Sequence, residues 1–178
     1  LEKIMFVYLK NDINKEIIII NDYSSDNTED VINNYIHENP KIDILLHNQD
    51  KNYGKGAAIR KGIELSNGEY LIIQDADLEY NAQEYNDLLT PIIEGQADVV
   101  YGSRFIGGKP HRILFFWHSI ANKIITLLSN ILSDLNLTDV ETGYKIFKKE
   151  ILEKINLEEE RFGVEIEVTH KIAKLKPK

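Results

Sequence analysis

Tyr70-Leu71-Ile72-Ile73-Gln74-Asp75-Ala76-Asp77-Leu78-Glu79 is the stretch that decides the reading of this chain. Its apolar half is a short run of the kind that forms a buried strand. Its second half places Asp75 and Asp77 two residues apart where that strand ends, with Glu79 following. Unpaired carboxylates are costly to bury, so this cluster needs solvent or a cation. Hard oxygen donors suit Mg²⁺ or Mn²⁺, and Mg²⁺ is commonly held by one or two carboxylates together with substrate phosphates. An Asp-x-Asp by itself suits a solvated acidic loop equally well. The neighbouring segments have to decide.

The same strand-then-polar-cluster pattern recurs on both sides. Strands are predicted over 16–21, 42–46, 69–74 and 98–101, and helices over 26–38, 55–66 and 82–94. Alternation of this kind predicts a mostly parallel sheet with helices on both faces. Ligands of such sheets bind beyond the carboxyl ends of the strands. The polar clusters fall there: Asn21-Asp22-Tyr23-Ser24-Ser25-Asp26, then Asp75-Ala76-Asp77, then Gly102-Ser103-Arg104. Leu1, Ile4, Met5, Tyr8 and Leu9 recur at helical spacing, so the chain is expected to open inside a helix. It closes just after another helix-like segment, both ends read as cut from a longer single domain, and the truncated chain is expected to be inactive by itself.

Composition narrows the classes. The 178 residues carry a net charge of −8, which excludes the broad basic face that nucleic-acid binding requires. There is no cysteine, hence no disulfide framework and no thiolate metal site, as suits a cytoplasmic protein. No apolar run is long enough to span a bilayer.

Individual residues keep two readings at this level. Asp22 suits either a nucleoside-binding carboxylate or a turn residue, with Ser24 to Asp26 capping the next helix. Lys55, in Asn52-Tyr53-Gly54-Lys55-Gly56-Ala57-Ala58, sits at a helix start that favours anions, although the small residues around it suit close packing on the sheet. Arg104 and Arg112 bracket Gly107-Gly108-Lys109-Pro110-His111, a basic island in an acidic chain, and arginine takes phosphate bidentately. Over 113–133, His118, Ser119, Asn122, Lys123, Thr126, Ser129, Asn130 and Ser133 trace one polar helical stripe. The stripe alone suits a core helix. Trp117 and Phe115-Phe116 beside the basic loop point instead to a surface helix in contact with lipid.

Taken in order, these pieces resemble family 2 glycosyltransferases of the GT-A fold, in the branch of the dolichol- and polyprenyl-phosphate mannose and glucose synthases. The likeness runs through Asn21-Asp22-Tyr23-Ser24-Ser25-Asp26-Asn27-Thr28, Gly54-Lys55-Gly56-Ala57-Ala58, Asp75-Ala76-Asp77, Tyr101-Gly102-Ser103-Arg104-Phe105, Leu137-Thr138-Asp139 with Thr142-Gly143-Tyr144-Lys145, and Arg161-Phe162-Gly163-Val164-Glu165-Ile166-Glu167-Val168. It implies a Rossmann-like sheet whose first strand is missing from this chain. It implies that Asp22, Lys55 and Asp75 bind the donor, that Asp75, Asp77 and Glu79 hold Mg²⁺ or Mn²⁺, and that Arg104 and Arg112 take the acceptor phosphate. Lys145, Glu165 and Glu167 match motif positions without an assigned role. Asn21 departs from the aspartate usual in the family. The implied reaction moves a hexose from a GDP-mannose or UDP-glucose type donor to a polyprenyl phosphate, with inversion, at a membrane surface. That acceptor is already ionised and needs positioning more than a base. A sugar-phosphate nucleotidyltransferase and a non-catalytic nucleotide-binding fragment are the alternatives.

Overall fold

The computed structural model describes residues 1–76, 80–105 and 115–178. Asp77, Glu79 and Arg112 therefore lie outside the described residues. The elements follow the chain as α1 (Glu2–Met5), β1 (Ile17–Asn21), α2 (Thr28–Glu38), β2 (Ile44–Asn48), α3 (Lys55–Leu65), β3 (Tyr70–Ile73), α4 (Tyr85–Ile93), β4 (Val99–Tyr101), α5 (Phe116–Ser133), β5 (Lys145–Lys148), α6 (Lys149–Leu152) and α7 (Val164–Leu175).

The architecture is α/β. β1 and β2 pair in parallel, with Ile17 opposite Ile44 and Asn21 opposite Asn48. β5 runs antiparallel between β3 and β4, so those two strands run parallel to each other. The four strands expected from the sequence are all present, three of them shorter by a residue at one or both ends and β2 shifted two residues onward, to Ile44–Asn48.

Strand alternation builds a core on each face of the β3–β5–β4 sheet. Ile146 packs with Tyr70, Ile72 and Val100 against Val7 and α4. Its neighbour Phe147 points the other way, joining Leu71, Ile73, Val99 and Tyr101 against α6, α7 and the Ile59 and Ile63 side chains of α3. A period of two thus gives two cores from one strand. Both Ile146 and Phe147 are almost wholly buried.

The opening segment departs from expectation. The helix stops after one turn, at Met5, rather than running through Leu9. Lys15 Nζ donates to the carbonyls of Ile4, Met5 and Val7, which draws the backbone away from the helical path. Val7 is buried while Phe6 and Tyr8 point to solvent.

Gly54 and Gly56 serve packing, though not against the sheet. Gly54 takes φ 97°, a conformation that glycine accepts without a Cβ penalty. Gly56 N and Ala57 N donate to Glu160 O at 2.7 and 3.2 Å, so the backbone of 159–160 caps α3. A Cβ on Gly56 would lie 2.1 Å from Glu159 O. Gly56→Ala should accordingly destabilise the chain by about 1–3 kcal/mol, the usual cost of overpacking. Urea unfolding checks this, and a variant as stable as the parent would contradict the close approach.

Candidate functional site

The segments that follow β1, β3 and β4 are linked through the start of α3 and the segment 139–143 into one rim, and each carries an anchored polar side chain. After β1, Asp22 Oδ1 accepts from Tyr53 N at 2.8 Å and Gln49 Nε2 at 3.1 Å, and Oδ2 accepts from Gly54 N at 2.8 Å. Asp22 thereby organises the loop that opens α3. An open groove of about 430 Å³, lined in part by His47, Gln49, Tyr53 and Arg60, adjoins it.

After β3, Asp75 meets the first residue of α3. Lys55 Nζ lies 3.0 Å from each carboxylate oxygen of Asp75 and 2.7 Å from Glu165 Oε1 on α7. Burial works against the Lys55 charge, but hydrogen bonds to Glu165 and Asp75 outweigh it and raise the amine's pKa. At the α3 start the N–H groups of Gly54, Gly56 and Ala57 are already engaged, donating to Asp22 and Glu160. Gly143 is required here: a Cβ on it would lie 2.6 Å from Asp75 Oδ2.

After β4, Arg104 is fixed by Asp139, a residue to which the sequence reading gave no role. Arg104 Nε and Nη2 donate to Asp139 Oδ2 and Oδ1 at 2.8 and 2.9 Å, and Arg104 N adds a third bond at 3.1 Å. Asn122 Nδ2 of α5 donates to Asp139 Oδ1 at 2.9 Å. The segment 139–143 therefore reaches Arg104 at one end and Asp75 at the other.

α5 lies at the surface, with most of its polar stripe turned inward and His118 and Lys123 of that stripe left exposed. Asn122, Thr126 and Ser129 are buried. Thr126 Oγ1 donates to Asn122 Oδ1 and accepts from Val140 N, and Ser129 Oγ bonds His170 Nε2 of α7. The apolar side faces out: Phe115, Phe116, Trp117, Ile124, Leu127, Leu128, Ile131 and Leu132 are each more than half exposed. Among the described residues no helix is long and apolar enough to cross a membrane.

The three residues left without a role fall behind this rim. Glu167 accepts from the backbone N–H groups of Glu158 and Glu159 and pairs with Lys171, which fixes the loop capping α3. Glu165 grips Lys55. Lys145 is buried, donates to Val140 O at 2.9 Å and stands over the Tyr101 ring. Burial lowers its pKa to about 8. Among the described residues no group of three or more His, Cys, Asp or Glu side chains converges as a metal site. Asp75 does offer oxygen donors at the rim, on a side chain 32% exposed, and these are the right class for a hard dication.

A family model for glycosyl transferase family 2 matches residues 7–156, and the chain belongs to that family. It is 29% identical over 167 residues to a dolichyl-phosphate beta-glucosyltransferase of Dictyostelium discoideum, covering 90% of this chain and 51% of that protein. Two dolichyl-phosphate beta-glucosyltransferases of Trichomonas vaginalis are 32% and 36% identical over 140 and 141 residues, covering 76% of this chain and 41% and 42% of theirs. An uncharacterized protein of Methanocaldococcus jannaschii is 30% identical over 164 residues, 89% of this chain and 69% of that protein. The chain thus spans about half the length of the glucosyltransferases it matches.

The buried Lys145 sets a pH dependence whose sign can be worked out. Its folded pKa is about 8 against 10.5 ordinarily. Between these values the unfolded chain holds a proton that the folded chain has released, so raising the pH favours folding. Urea unfolding of the parent and Lys145→Met should show the parent gaining stability relative to the variant from pH 8 to about 10, within the window set by burial of the amine. A pH-independent difference would show that Lys145 stays charged when folded.

Proposed function

We propose that this chain transfers a hexose from a nucleotide-sugar to a polyprenyl phosphate at a membrane surface, with inversion at the anomeric carbon. The observation that carries the reading is a juxtaposition. Arg104, at the rim that also carries Asp22 and Asp75, is held by Asp139, and Asp139 is held in turn by a helix that turns seven large apolar side chains outward, with Phe115 just before it. Family membership and the names of the relatives support the same reaction class. Those names favour a glucosyl donor, hence UDP-glucose over GDP-mannose.

In this reading the groove beside Asp22 receives the nucleoside, being of a size typical for small-ligand sites. Asp75, with Asp77 and Glu79, holds Mg²⁺ or Mn²⁺, which would neutralise the departing diphosphate. Arg112 and Arg104 orient the acceptor phosphate. The fork of Arg104 is committed to Asp139, so its contribution is a fixed positive charge rather than a free bidentate clamp. The outer face of α5, led by Trp117 and the two phenylalanines, rests at the lipid headgroup boundary, where an apolar helix face binds with modest, composition-dependent affinity.

Vesicles containing polyprenyl phosphate, offered with Mn²⁺ and either UDP-glucose or GDP-mannose, test the reaction. Sugar-lipid product from UDP-glucose is the expected result. Trp117 is the sole tryptophan, so its emission should shift to shorter wavelength on vesicle binding. Leu128→Glu with Ile131→Glu should abolish that shift and the transfer while leaving UDP affinity intact. No product with either donor would overturn the proposed reaction. Transfer from vesicles that survives the two glutamates would remove α5 from the membrane contact.

A further inference from the structure

We infer that Lys55 and Glu165 are positioning residues for Asp75, and that their ion pair is maintained for donor binding at the expense of stability. The inference rests on the donor reading above and adds how Asp75 is set. Lys55 straddles the Asp75 carboxylate, with both oxygens 3.0 Å from Nζ. From the opposite side Glu165 Oε1 holds the same ammonium at 2.7 Å, and Glu165 is itself 9% exposed. A long lysine side chain clamped from two sides delivers one orientation of its partner. A lysine bonded to Asp75 alone would carry its full rotamer freedom.

The surroundings give no packing reason for these charges. Lys55 and Glu165 line a cavity of about 10 Å³ with Thr142, Gly143 and Lys145, and the rest of its wall is Ile59, Ile73, Val164 and Val168. Glu165 Oε2 is buried with no hydrogen-bond partner among the described residues. A half-satisfied buried carboxylate costs stability. Replacing a buried ion pair by apolar side chains of similar volume is often neutral or stabilising. Apolar packing therefore does not call for the pair, although Lys145 in the same wall is favoured by the Glu165 charge. The group it reaches outside the core is Asp75, which stands at the carboxyl end of β3 in contact distance of Gly143.

Paired and unpaired replacements separate the two roles. Calorimetry measures UDP binding across a Mn²⁺ series, and thermal melting is followed on the same samples, for the parent, Glu165→Gln, Lys55→Arg and the double variant Lys55→Met/Glu165→Leu. The double variant should melt no lower than the parent, yet bind UDP with Mn²⁺ about 10–100-fold more weakly, the range found when a partner that orients a metal ligand is removed. Glu165→Gln, which keeps the shape, should weaken UDP binding in the same direction, and Lys55→Arg should retain more affinity than the double variant. Parent-like UDP affinity in Glu165→Gln and the double variant would overturn the positioning role while leaving the donor reading in place. A double variant that melts well below the parent would show that the pair serves the fold and would equally overturn it. A parent that binds no UDP at any Mn²⁺ concentration would overturn the donor reading, and this inference with it.

Discussion

The carboxylate of Asp139 is the point on which the rest of the arrangement depends. It is 1% exposed and accepts four hydrogen bonds, three from Arg104 and one from Asn122. A buried charge is tolerable only when its lone pairs are satisfied in this way, and removing one partner of such a pair typically costs about 3–5 kcal/mol. Three parts of the chain converge on it: the end of β4, the first half of α5 and the segment leading to Gly143. Arg104 is thereby fixed before any ligand arrives, and the position of Gly143 beside Asp75 follows from the same segment.

The orientation of α5 follows from the same requirement. An amphipathic helix ordinarily turns its apolar side to the core. Here the core-facing side carries Asn122, Thr126 and Ser129, because their partners are Asp139, the backbone of Val140 and His170. Satisfying those buried polar groups sends the apolar side outward. An exposed apolar patch of this extent marks an interaction surface. Its position on the helix that supports Arg104 places an exposed apolar face beside the residue proposed to meet an acceptor phosphate.

Much of the fold was legible because it rests on local periodicity. The runs ending at Asn21, Ile73 and Tyr101 are short, apolar and followed by polar turns, and each proved to be a strand. β5 was not legible, since Lys145-Ile146-Phe147-Lys148 begins with a lysine that is buried against its usual preference. The expected helix at the start of the chain fails for a related reason: Lys15, ten residues beyond Met5, competes for the carbonyls. At the site, Asp22, Asp75 and Arg104 were readable from strand ends. Asp139 was visible within a motif but its role was not, because its partners lie 17 and 35 residues away. The stripe on α5 was equally plain, yet a stripe does not say which side packs when the polar side has buried partners of its own. The glycine-rich start of α3 was likewise readable as close packing, while the identity of what packs there, the backbone of 159–160, depended on tertiary structure.

Because the chain contains no cysteine, thiol accessibility measures the α5 orientation directly. Single cysteines placed at Thr126 and Ser129, and separately at Leu128 and Ile131, can be labelled with a small maleimide in the folded protein without background. Rapid labelling at Leu128 and Ile131, with strong protection at Thr126 and Ser129, is the predicted result. The reverse pattern, with the apolar positions protected and the polar stripe open to reagent, would contradict the helix orientation, the Asp139 hub that imposes it and the lipid contact proposed on both.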